Sequence, residues 1–138
     1  MQWWIYALLS AVFAALVSIL AKAGLRGIDS DVATAVRTSV VVPFVWIVAA
    51  FSGKVPQLMQ WPARTWCFIV ASGLATGLSW LCFYRALSNG RVGGVLAVDK
   101  LSVAIAIILA AVLLRERFGW REAAAIVLLT SGALLLVK

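Results

Sequence analysis

Five runs of mostly apolar residues follow one another along this chain, at about 3–23, 32–51, 65–87, 92–114 and 120–137. Each is close to the roughly 20 residues that a helix needs to cross about 30 Å of hydrocarbon. Only short polar segments separate them. In lipid every backbone polar group must be bonded within its own segment or barrel, so long apolar runs of this kind fold as helices. The sequence predicts an all-α integral membrane protein with five transmembrane helices in a single domain spanning residues 1–138. Composition excludes a soluble fold. Hydrophobic residues make up 64% of the chain and charged residues 12%, against about 45–50% and about 25% in soluble domains. A chain of 138 residues has too little interior to hide that excess, so membrane lipids are its expected surroundings.

Local signals set the boundaries. Gly24, Gly27 and Asp29-Ser30-Asp31 mark the first loop, with Asp31 the expected N-cap of the second helix. Pro43 lies inside that helix, which membrane helices tolerate as a kink. Residues 52–64 form a longer loop with Pro56 and Pro62, and tight turns are expected at 88–91 and 115–119. Trp3, Trp4, Trp61, Trp66 and Trp120 fall near span ends, where an interfacial aromatic belt accounts for them. Gly73 and Gly77 form a small-xxx-small pair that permits close helix approach. The amino terminus lacks the basic start of a signal peptide and its apolar run is long, so the first run is expected to be retained as a span, despite Ala21-Lys22-Ala23.

The net charge of +7 does not indicate nucleic acid. The Lys and Arg residues sit at or near helix ends, as is usual in membrane proteins, and form no contiguous solvated basic face. The chain has no His, which removes the usual metal sites and His-based catalysis; no metal and no cofactor are expected. Cys67 and Cys82 fall on one helix about 22 Å apart at 1.5 Å per residue, so they are expected to be unbridged, small buried hydrophobes.

Polar residues inside the spans are unevenly placed. With the face holding the amino terminus called proximal, Lys22, Arg37, Trp80, Tyr84, Arg85, Asp99 and Lys100 all fall in the distal half. Charges at depth cost several kcal/mol unless paired or hydrated, and such residues usually face a bundle interior or a cavity. The distribution predicts one polar cavity open to the distal side. Snorkelling towards the interface is the competing account for Lys22 and Arg85, but Asp99 is too short to snorkel from two turns down. Asp99 shares a face with Ser102, Thr34 and Thr38 share one with Arg37, and Trp80 shares one with Tyr84. Neighbours on a helix diverge by about 100°, so Asp99 and Lys100 are not expected to pair with each other; Arg37 or Arg85 are the expected partners of Asp99. The expected pathway residues are thus Arg37, Trp80, Tyr84, Asp99, Lys100 and Ser102, with Lys22, Thr34, Thr38 and Arg85 as secondary candidates. Their excess of positive charge suits an anionic, zwitterionic or aromatic small solute.

Lys54, Arg64, Arg115, Arg117 and Arg121 lie near the proximal face, against Lys22, Arg26, Arg91 and Lys138 on the distal one. The positive-inside rule needs an asymmetry, and this near balance permits insertion in both orientations. Two oppositely inserted copies would form an inverted repeat, a common transporter architecture with sites near the midplane.

Several segments carry a resemblance. Ala21-Lys22-Ala23-Gly24-Leu25, Gly27-Ile28-Asp29-Ser30 and the run 33–38 resemble the first half of an EamA-type domain. Residues 72–80, Tyr84-Arg85-Ala86-Leu87, Asp99-Lys100-Leu101-Ser102-Val103, Glu116 and Gly132 resemble its second half, the Asp-Lys-Leu-Ser-Val stretch most specifically. Covering essentially the whole chain, the resemblance implies the short five-helix form of the drug/metabolite transporter superfamily. It further implies transport of small metabolites across a bacterial or archaeal inner membrane, and dimerisation into a ten-helix antiparallel homodimer. In two places the chain departs from the pattern. Ala97 stands where a Pro is often found, which predicts a straighter fourth helix, and Arg115 replaces the Gly usual before the turn Glu.

The expected function is secondary transport of small organic solutes, with Asp99, the only deep acid, as the candidate for proton coupling. The alternative is an accessory membrane subunit, half of a heterodimeric transporter. An intramembrane enzyme is disfavoured, since there is no second deep carboxylate and no His to activate a nucleophile.

Overall fold

The structure is a computed structural model that describes residues 2–115 and 118–137. Glu116, part of the resemblance, and Arg117 and Lys138, counted in the charge balance, lie outside the described residues.

Among the described residues the chain is helical without strands: α1 (Trp3–Gly24), α2 (Ser30–Phe51), α3 (Ala63–Asn89), α4 (Val92–Asp99), α5 (Leu101–Leu113) and α6 (Trp120–Val137). A 3-10 helix, Val55–Gln60, lies within the loop after α2. Since α4 and α5 together form one 22-residue apolar stretch, Val92–Leu113, there are five helices long and apolar enough to cross a membrane. Large apolar side chains point outwards along all of them, Leu135 at 78% exposure and Leu128 at 73% among them. Such continuous apolar surface would drive a soluble protein to aggregate; here a bilayer covers it.

Two compact units make up the chain. One is Leu20–Ser88; the other combines Met1–Ile19 with Asn89–Lys138. In the first, buried apolar contacts come from Leu25, Tyr84 and fully enclosed Leu87, and Thr34 is buried with them. Helix α2 begins with an acidic cap: the Asp29 carboxylate accepts from the backbone N–H groups of Asp31 (2.9 Å) and Val32 (3.1 Å). The cap is therefore Asp29, not Asp31 as the sequence suggested. Asp29 reaches the second and third backbone donors of the helix, the groups an N-cap oxygen normally satisfies. Asp31 is then one turn element further on, where its charge favours the positive helix end.

In the second unit α6 packs along both α4 and α5. A Cβ built on Gly94 would stand 3.3 Å from the Leu136 carbonyl oxygen, so α4 and α6 are in near-backbone contact there. Ala104 and Ala133 are buried. The fourth span is interrupted as a regular α-helix at Lys100, whose φ of −69° and ψ of −13° stay in the helical region. The Lys100 N–H still reaches Leu96 O at 3.1 Å, but Val103 N–H bonds Lys100 O at 3.0 Å. That three-residue closure is a 3-10 turn, and it interrupts the helix without any proline.

The turn after α5 holds Arg115 at φ 55°. The position where the family resemblance leads one to expect Gly has kept the left-handed backbone that Gly adopts without cost. Cys67 and Cys82 are both free and exposed, which corrects the expectation that they are buried. Lipid removes the penalty on exposing a small apolar thiol, so a membrane helix need not turn it inward.

Candidate functional site

In the unit Leu20–Ser88 three helix ends are tied together by side chains. The Lys22 ammonium, near the end of α1, donates to Leu87 O (2.6 Å) and Ser88 O (3.2 Å). These are carbonyls of the last turn of α3, which lack partners within their own helix, and a cation there also complements the negative helix end. Lys22 is thus held by α3. Arg85 grips Asp31 with two nitrogens, Nε to Oδ1 at 3.1 Å and Nη2 to Oδ2. This fork geometry suits Arg and carboxylate, although the pair is largely exposed. Arg85 therefore pairs with Asp31.

About 9 Å further along α2 from Asp31, by helical rise, lies Arg37. Its guanidinium carbon stands 4.3 Å from the Trp80 ring centroid and 5.4 Å from that of Tyr84. Trp80 and Tyr84, four residues apart on α3, present their rings together as helical spacing requires; Tyr84 is buried at 3% exposure. Thr34 and Thr38, on Arg37's own face, donate their hydroxyls to Ser30 O and Thr34 O, each at 2.8 Å. Their protons are spent on the backbone of α2. Arg37 Nη1 is buried and has no hydrogen-bond partner. The ring faces attract the cation, by about 0.5–2 kcal/mol per good pair, but supply no acceptor for its N–H edge.

In the other unit Asp99 and Lys100 flank the break in the fourth span, with Lys100 Nζ 3.5 Å from Asp99 Oδ2. The sequence reading had these two apart. The 100° divergence holds for short side chains on a regular helix, whereas Lys100 sits at the break and has four methylenes with which to fold back. Ser102 is exposed one turn onward. A groove of about 570 Å³ between α4 and α6 is lined by Ala97, Lys100, Leu128, Gly132 and Leu136, among others, and is almost wholly apolar apart from Lys100.

Sequence reasoning located Arg37, Trp80 and Tyr84, and the structure brings these three together. It missed the Asp31–Arg85 clasp and the capping role of Lys22. Lys22 carried a signal, a cation in the last turn of a helix, but its acceptor lies on α3, 65 residues away.

Five apolar helices holding ionised side chains within their span define a multi-pass membrane protein of the kind that moves solutes. Comparison with known proteins makes this specific: the chain belongs to the EamA-like transporter family, whose model matches residues 1–138. It is 40% identical over 135 residues to a Sinorhizobium protein described as "Uncharacterized transporter in cobO 3'region", covering 98% of this chain and 96% of that one. No solved structure gives a significant match. The expected short five-helix form and the transporter role are thereby shown.

Proposed function

We propose that this protein is a secondary transporter of small organic solutes in the inner membrane of a bacterium or archaeon. It works as a ten-helix homodimer of oppositely inserted copies. Arg37, Trp80, Tyr84, Asp99, Lys100 and Ser102 line its pathway, with Lys22, Thr34, Thr38 and Arg85 at the periphery. The break at Lys100 carries this reading. Counting eight residues of α4 from its start at 1.5 Å each, the break lies about 12 Å into the span. The turn there keeps its backbone hydrogen bonds and coincides with two ionised groups, which within a span usually face a bundle interior or a watered cavity. Ionised groups at that depth are unfavourable against lipid, whereas a solute pathway gives them water and a role.

Asp99 is the proton-coupling group of this proposal. It is the one acid that lies deep within a span of this sequence. The test is proton-driven uptake in proteoliposomes. Asp99→Asn should remove accumulation driven by a pH gradient while leaving downhill exchange of solute; full coupled activity in that variant would take Asp99 out of the mechanism.

A further inference from the structure

We infer that Arg37 is the receptor for the carboxylate of a small organic acid whose apolar part lies against Trp80 and Tyr84. This deepens the transport reading and rests on it. A guanidinium carries five N–H donors in a planar fork. Its carbon stands over the rings of Trp80 and Tyr84, which offer no carbonyl or carboxylate acceptor, and its Nη1 is buried without a hydrogen-bond partner. Leaving a buried charged donor unsatisfied is costly, and such a group in a native fold asks for a functional explanation, a bound partner among them.

The acids of the same unit are engaged elsewhere. Asp29 caps α2 and Asp31 is gripped by Arg85. Thr34 and Thr38 face their own backbone. Within this unit, then, the guanidinium lies against aromatic rings, and its planar fork of donors matches a planar, two-oxygen anion. The rings provide an apolar wall on which the body of such a solute can lie.

An oxyanion could also come from a lipid headgroup. Depth argues against it. Arg37 is seven residues past the start of α2, about 10 Å below the interface, and its guanidinium lies nearer to Trp80 than to the more superficial Tyr84. A long side chain seeking headgroups would snorkel outward.

The test is equilibrium binding to the purified full-length protein in nanodiscs. The probes are small aryl and alkyl carboxylates, headed by radiolabelled phenylacetate, each paired with its neutral amide; inorganic phosphate is the competing anion. Discs are made with phosphatidylcholine alone or with added phosphatidylglycerol. At least one acid should bind ten-fold or more tightly than its amide, equally in both lipids, and phosphate should compete weakly. Arg37→Gln should abolish the preference for acid over amide. Arg37→Lys, which keeps the charge and supports folding but loses the fork, should weaken acid binding at least ten-fold.

Equal binding of acid and amide overturns the inference, as does the absence of binding by any acid, or a preference that survives in Arg37→Gln. Binding of acid that disappears when phosphatidylglycerol is added assigns the site to lipid phosphate and overturns it too. The transport reading fails separately. Acid binding without uptake in liposomes would remove transport and keep the site, while uptake of amides as fast as acids would keep transport and remove the carboxylate assignment.

Discussion

Gly93 and Gly94 are neighbours on α4 that should respond unequally to the same substitution. A Cβ on Gly94 would meet the Leu136 carbonyl oxygen at 3.3 Å, while one on Gly93 meets nothing within 4 Å. A new Cβ at that distance is crowded, so the Leu136 carbonyl must give by a few tenths of an ångström to admit it. In soluble proteins an Ala for Gly exchange also gains about 1 kcal/mol of helix propensity. In a membrane or micelle the separated helices remain helical, so that gain is common to both states and cancels. Gly93→Ala should therefore leave stability within about 0.5 kcal/mol of the parent, as for an exposed site. Gly94→Ala should cost about 1 kcal/mol, because its Cβ crowds the Leu136 carbonyl. Gly94→Leu, which cannot fit without separating α4 from α6, should cost about 1–3 kcal/mol as an overpacked contact. The assay is titration with dodecyl sulfate in mixed micelles, followed by tryptophan fluorescence. Equal midpoints for Gly93→Ala and Gly94→Ala, or no loss for Gly94→Leu, would refute the close approach of α4 and α6.

Two further outcomes follow from local geometry and from charge. Arg115 holds a left-handed backbone at φ 55°, which costs a non-glycine residue about 1–2 kcal/mol, so Arg115→Gly should raise the unfolding free energy by about 1 kcal/mol; a loss of stability would mean that the Arg side chain holds the turn. Because Lys and Arg are nearly balanced between the two faces, reporters fused at the carboxyl terminus should detect both orientations, and three added lysines on the proximal loops should collapse them to one; a single orientation in the parent would remove the inverted pairing.

How far the sequence reaches depends on the range of the interaction. Hydropathy reports each residue's solvent, so the five spans could be drawn from single runs. The helical period places Trp80 and Tyr84 on one face, and Arg37 was conspicuous as a charge in apolar surroundings, so this cluster was also legible. Pairing between helices was not. Arg85 meets Asp31, 54 residues away, and only the relative register of α2 and α3 decides that it does. The break at Lys100 escaped for a different reason: neither Gly nor Pro marks it, and the expected signal, a Pro at position 97, is absent. A backbone irregularity sustained by tertiary context leaves little trace in local sequence. The Asp29 cap was missed by two residues because Asp29 and Asp31 both satisfy the local preference, and only the bond directions distinguish them.

The central claim is that one chain, paired with an inverted copy of itself, moves a small organic solute. It is tested most directly by purifying this protein alone, reconstituting it in liposomes, and measuring counterflow of labelled small organic acids together with its cross-linked oligomeric state. A dimer that exchanges external label for internal solute well above protein-free vesicles is the expected result. A protein that stays monomeric and moves no solute until a second, different chain is supplied would contradict the claim and make it an accessory subunit.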